Sequence, residues 1–399
     1  MTNKRVSQNV IIVMCWLVYS LAYLGRYSYN ANITLIIEDY GVSNAQAGLV
    51  ATAFYFAYGV GQIINGIFCS RYNKKWIFPV ALSLSSAINL AVFFGAPFFT
   101  IKYLWFINGL LQSCLWSSII SVLSKTMDDK HMKWALVPMS TTTCVGTVAT
   151  YSASSLFVHF NNYRLSFLFG AIVMTLLGLV WFLIYSPELE VYQPKEEIKT
   201  KNSNNAKFSG VMTLTVLLCF FAITHNFLKD GLTTWVPEIL KKRYGLDDSL
   251  SVLSTNVLPI LGIVCAILVI KINQYIKNFV LLISLLFAVG TIGTGSLAYF
   301  TNMNATVAII CFGMVVCMMH GINNITNSLA PLKLRDKVDS GKMAGIINGC
   351  CYAGSTLSTY GMGKIADIGG WQLVLDILFY MSLFSLVVGL LCAPLTRKN

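Results

Sequence analysis

Charge is what this chain has least of. Asp, Glu, Lys and Arg together make up 11% of 399 residues, against about 25% in ordinary soluble domains. That shortage excludes a soluble globular protein of this length, because there is too little charge to cover its surface. Acidic residues are scarcer still in one stretch. None lies between Asp39 and Asp128, so that segment offers no carboxylate to carry a proton. Catalytic signatures are missing as well: no His-Glu-x-x-His, no Gly-x-Ser-x-Gly, no P-loop and no cluster of metal ligands. Nothing points to an enzyme, a cofactor or direct coupling to ATP. The eleven cysteines have no paired spacing and read as buried, reduced thiols. No lipidation motif is present.

What the chain does have is apolar length. Hydrophobic residues make up 56% and the mean hydropathy is +0.67. Twelve runs reach the roughly 20 residues that a bilayer requires: 9–36, 45–68, 76–97, 103–124, 134–157, 164–185, 209–239, 250–270, 278–299, 305–330, 342–364 and 372–394. The first is too long for a cleaved signal peptide and contains Arg26. The longest polar interruption, PELEVYQPKEEIKTKNSNNAK, separates six spans from six and reads as a flexible linker. The expected organisation is a bundle over 1–186, a linker over 187–208 and a second bundle over 209–399. With the N-terminus inside, inner loops and tails carry 20 Lys and Arg and outer loops carry five, so both termini and the linker are expected on the cytoplasmic side. The formal charge of +12 is then a topology signal and not a nucleic-acid footprint.

The two halves echo one another. Gly41 follows Arg26 by 15 residues and Gly245 follows Lys229 by 16. Lys133-x-Ala135 precedes Thr150-Tyr151, and Lys342-x-Ala344 precedes Thr359-Tyr360, all at an offset of 209. Two parallel six-span repeats with a site between them is a secondary-transporter plan.

Arg26 and Lys229 are the cations of the first span in each half. A charge at mid-bilayer depth costs about 2.5–3.5 kcal/mol on insertion scales, so it reads as functional by default. Arg26 offers a planar fork suited to phosphate or carboxylate, whereas Lys229 offers a point charge. Asp230 follows Lys229 directly. Adjacent helical positions point about 100° apart, so direct pairing is expected to be poor, and a partner on another span is the alternative. An ionised Asp230 facing the cavity would lower the site charge from +2 to about +1, which fits a monoanion or a zwitterion. Tyr23 and Asn30 share a helix face with Arg26. Tyr27 serves the site or the core equally well. His320, Asn323 and Asn324 are concentrated polarity in span 10, either lining a cavity or joining helices. His320 and Asp230 are the possible proton carriers. His225, one turn before Lys229, is a supporting residue. Gly59, Gly61, Gly66, Gly354 and Gly361 are read as close-packing positions.

Several segments resemble the major facilitator superfamily, and within it the organophosphate:phosphate antiporters, the group of the glycerol-3-phosphate and hexose-6-phosphate transporters. They are YLGRYSYNANI, AYGVGQIINGIFCSRYNKK, FLKDGLTTWVPEIL with Trp235 and Pro237, and AGIINGCCYAGSTLSTYGMGKIADIGGW. The resemblance implies an all-α membrane protein with twelve transmembrane helices in two pseudo-symmetric bundles. It assigns phosphate binding to Arg26 and to the position of Lys229, where the family has a second arginine. The family's span-2 lysine falls at Gln62 and its span-5 histidine at Thr143, and the aspartate of the loop after span 2 is absent. The expected function is secondary transport of a small organic anion, a phosphorylated metabolite exchanged for phosphate or another anion by alternating access. The expected protein is a monomer in the plasma (inner) membrane. Two alternatives stay open: a proton-coupled symporter of a carboxylate or zwitterion using Asp230, and a transporter-like sugar-phosphate sensor.

Overall fold

The structure is a computed structural model that describes residues 8–68, 71–127, 135, 138–186, 208–300, 303–334 and 340–396. The expected linker at 187–207 lies outside these residues. The described residues form helices and connecting turns, with no strand among them. In order, the main helices are α1 (Gln8–Ala31), α2 (Ile33–Tyr40), α3 (Asn44–Phe68), α4 (Lys74–Phe93), α5 (Phe98–Thr126), α6 (Thr142–His159) and α7 (Leu165–Ile184). They continue as α8 (Phe208–Tyr244), α9 (Asp248–Ser254), α10 (Val257–Tyr275), α11 (Phe279–Tyr299), α12 (Ala305–Asn324) and α13 (Ser340–Cys392).

Ten of these helical stretches are long and apolar enough to cross a membrane. The last of them contains two spans. Gly369 and Gly370 leave helical geometry inside α13, Gly370 at φ 70°, a region open to glycine at little steric cost. The 18-residue α6 completes the expected twelve. It is the most polar span, since threonines and serines fill it. Two expected spans are interrupted. Span 1 stops at Ala31 because the Asn32 side chain donates to the Ser28 carbonyl at 2.8 Å, competing for a helix acceptor. Span 8 is split at Thr255–Asn256, just before Pro259, which has no N–H to continue the ladder.

The described chain forms two compact units, Met1–Asn32 with Phe56–Glu197, and Ile33–Tyr55 with Ile198–Asn399. In the first, α1 packs on α6 and α7, and α4 packs on α5 and α7. In the second, α8 packs on α13, α11 on α12 and α13, and α10 on α12. The sequence echo therefore has a structural counterpart: span 1 lies on span 5, and span 7 on span 11. Both crossings need a glycine. A β-carbon at Gly146 would collide with the Ser20 carbonyl, and one at Gly354 with the Ile223 carbonyl. Small residues at such crossings let backbones approach where lipid supplies no hydrophobic drive between helices.

Helix faces are sorted for lipid. On α7, Ile172, Leu176, Leu179 and Leu183 are exposed, while Phe167, Gly170, Met174 and Trp181 are buried. The outward face is mainly large aliphatics and the inward face includes Gly170 and the bulky Phe167 and Trp181, so the apolar surface faces outward, the inverse of a soluble bundle.

The second unit carries a polar seam where α2 and α3 meet α8 and α13. Asp367 accepts from the backbone N–H groups of Asn44 and Ala45 at 3.0 and 2.9 Å and from Asn44 Nδ2 at 2.8 Å. This caps the open donors at the start of α3. About two turns further along α3, Thr52 Oγ1 lies 2.7 Å from Thr359 Oγ1. Glu38 accepts from Lys241 at 2.7 Å and Lys242 at 3.2 Å.

Candidate substrate-binding site

In the first unit, the cation sits in an aromatic and amide shell. Arg26 is 4% exposed. Its guanidinium carbon lies 4.5 Å from the Tyr23 ring centroid and 4.3 Å from that of Tyr58. Arg26 Nε donates to Gln112 Oε1 at 3.3 Å. Gln112 in turn donates to Asn108 Oδ1 at 3.1 Å, and Asn108 donates to the Gly25 carbonyl at 2.8 Å. The two rings and the amide fix the plane of the guanidinium, and a fixed plane is what bidentate recognition of an oxyanion requires.

A ring of hydroxyls continues from there. Tyr23 donates to Thr143 Oγ1 at 3.2 Å. Gln62 Nε2 donates to the Tyr58 hydroxyl at 3.0 Å, which lies 3.3 Å from that of Tyr19. The predicted residues Tyr23, Arg26 and Thr143 thus belong to one cluster, with Gln62 at its edge. Tyr27 is edge-on to Tyr23 at 5.1 Å. Asn30 is buried one turn beyond Arg26. Tyr58, Gln112 and Asn108 were not anticipated. The pair Asn108 and Gln112, one turn apart in an apolar span, was the available signal.

The second unit has a different arrangement around its cation. Lys229 Nζ lies 3.3 Å from Asp230 Oδ1, with side-chain exposures of 15% and 9%. This corrects the expectation that neighbouring positions pair poorly. The lysine stem is long enough to bend back across the 100° between the two Cβ directions. The other carboxylate oxygen is held from two sides. Ser355 Oγ donates to Asp230 Oδ2 at 2.5 Å, and Asn226 Nδ2 donates to it at 3.1 Å. Asn226 also donates to the Cys351 carbonyl at 2.8 Å, which ties α8 to α13.

His225 lies behind this group, fully buried. Its Nδ1 meets the Phe221 carbonyl at 2.7 Å and its Nε2 lies 3.3 Å from Asn323 Oδ1. Asn327 donates to that same amide oxygen at 2.7 Å. Asn323 lies at the end of α12 and Asn327 inside the π-helical turn that follows, Ile325–Leu329, a distortion that often marks function. His320 is half-buried and within electrostatic reach of Lys229. Asn324 is half-buried too, but Asn323 is the one that reaches His225. Trp235 is buried and donates to the Thr359 carbonyl at 3.0 Å. Among the described residues no group of His, Cys, Asp and Glu could hold a metal, and the ten cysteines there are free thiols.

A buried cation in one helical unit and a half-buried one in the other, with repeated helix pairing, is the anatomy of a membrane transporter. The sequence profile of the Major Facilitator Superfamily matches residues 15–338, and the chain belongs to that superfamily. It is 22% identical over 390 residues to the "Membrane sensor protein UhpC" of Escherichia coli K12, covering 91% of this chain and 87% of that one. It is 20% identical over 419 residues to the "Probable hexose phosphate transport protein" of Chlamydia pneumoniae, covering 96% and 90%. The fold matches a crystal structure of a D-xylose-proton symporter with TM-score 0.78 at 12% identity, over 98% of this chain and all of the other. The resemblance to the organophosphate:phosphate antiporters is supported by these relatives.

Proposed function

We propose that the chain is a secondary transporter that moves a small phosphorylated metabolite across the membrane by alternating access, in exchange for phosphate or another anion. The observation that carries this reading is the Arg26 shell. The guanidinium of buried Arg26, flanked by Tyr23 and Tyr58 and oriented by Gln112, is arranged to grip a phosphoryl group. A relative named for hexose phosphate, matched along nearly the whole chain, supports the same substrate class. Tyr23, Tyr27, Asn30 and Thr143 serve the substrate in the first unit, and Lys229, His320 and Asn324 in the second. The chain acts as a monomer in the cell membrane with both termini cytoplasmic. The 20-to-five bias of basic residues supports that orientation, and thiol labelling of cysteines introduced at 195–205 should be seen from inside only.

A sensor is the second reading, favoured by the whole-length likeness to UhpC. One experiment separates the two. Proteoliposomes loaded with inorganic phosphate should take up labelled hexose phosphate without a proton gradient. Uptake that requires a proton gradient would establish symport instead, and binding without flux would establish a sensor.

A further inference from the structure

Lys229 is followed by a carboxylate that nothing in a simple phosphate site requires. We propose that Ser355 and Asn226 hold Asp230 as a built-in counter-ion of Lys229, so that the second unit favours singly charged over doubly charged phosphate ligands. The inference rests on the reading that Lys229 meets the substrate.

The geometry is that of a held carboxylate. Lys229 approaches Oδ1 at 3.3 Å, while Ser355 and Asn226 both donate to Oδ2 at 2.5 and 3.1 Å. Three donors on two oxygens fit an ionised acceptor. Two of them, Asn226 and Ser355, are themselves buried at 3% and 0% exposure, so Asp230 is fixed and does not swing away. Lys229 is the more open of the ion pair, at 15% against 9%. A ligand therefore reaches the ammonium first and meets the carboxylate behind it. The other titratable groups around Lys229 are His225, His320 and the Cys351 thiol. At pH 8 an imidazole of ordinary basicity is neutral, leaving the pair at zero net charge. A second negative charge on the ligand then gains attraction from Lys229 that the repulsion from Asp230, lying just behind the ammonium, largely offsets.

Two small probes isolate this effect. At pH 8 methyl phosphate is a dianion, because the second ionisation of a phosphate monoester lies near pH 6, and dimethyl phosphate is a monoanion. Apparent dissociation constants for both come from ligand-induced thermal stabilisation of the purified full chain. Comparing the ratio of the two between variants removes the steric difference of the extra methyl group. Asp230→Asn should shift the ratio toward methyl phosphate by about tenfold, since one like charge at contact distance is removed. Ser355→Ala keeps both charges but releases the carboxylate, and should shift the ratio the same way by less. Ser355→Ala carries the test if Asp230→Asn does not fold. An unchanged ratio in the variants, or equal weakening of both probes, overturns the counter-ion role and leaves the proposed function standing. If neither probe stabilises the unaltered chain, the phosphate reading falls, and this inference with it.

Discussion

Replacing Arg26 probes the reasoning most directly. Arg26→Ala removes a full charge and the planar fork of a residue that is 4% exposed. Hydrogen bonds to charged groups contribute about 1.5–3 kcal/mol each. Losing a bidentate pair should cost about 3 kcal/mol after partial replacement by water, or about 150-fold in affinity at 1.4 kcal/mol per decade. Arg26→Lys keeps the charge but not the fork. It also loses the flat contact between Tyr23 and Tyr58, whose ring centroids lie 4.5 and 4.3 Å from the guanidinium carbon. Desolvated cation–π contacts reach about 2 kcal/mol. A lysine retains part of that attraction, so Arg26→Lys should still bind at least about tenfold more weakly than the unaltered chain. The assay is hexose phosphate binding to purified protein by thermal stabilisation, with unliganded stability and monodispersity as folding controls. Unchanged affinity in Arg26→Ala would refute the anion site. Unchanged affinity in Arg26→Lys would refute the planar-fork argument alone.

Two further outcomes follow from the packing and the polar seam. Gly354→Ala should lower thermal stability, at a cost of about 1–3 kcal/mol for overpacking, because its methyl group meets the Ile223 backbone; Gly361, expected from the sequence to be a close-packing position, instead has nothing within 4 Å of a β-carbon, so Gly361→Ala should leave the melting temperature unchanged. Burial would push the Glu38 carboxyl up, but its hydrogen bonds to Lys241 and Lys242 prevail and hold it below the ordinary value of 4.5. A depressed carboxylate stabilises above its unfolded-state value and loses that stabilisation as pH falls through the folded value, so the unaltered chain should lose stability relative to Glu38→Gln below about pH 4.5. The Glu38 side chain is 41% exposed, so the effect is about 0.5 kcal/mol and should fade in high salt. Equal acid sensitivity of the two proteins would remove Glu38 from the seam's energetics.

The number of membrane spans and the placement of Arg26 and Lys229 at the head of each half were legible in the sequence. Lipid imposes apolar runs of fixed length and makes intramembrane charge conspicuous, so a one-dimensional pattern suffices. The echo at 209 marked spans 1 and 7, and spans 5 and 11, as equivalent, but that span 5 packs on span 1 and span 11 on span 7 was visible only at the Gly146 and Gly354 crossings. What the sequence left open is who surrounds each cation. Tyr58 and Gln112 come from other helices to Arg26, and Ser355 comes from α13 to Asp230, at sequence separations of 32, 86 and 125 that no helical period encodes. Only tertiary packing brought them together. Even the Lys229–Asp230 pair, adjacent in sequence, was misjudged from helical wheel angles. A long lysine stem anchored at one end can bend to a neighbour, and whether it does is decided by what holds that neighbour in place.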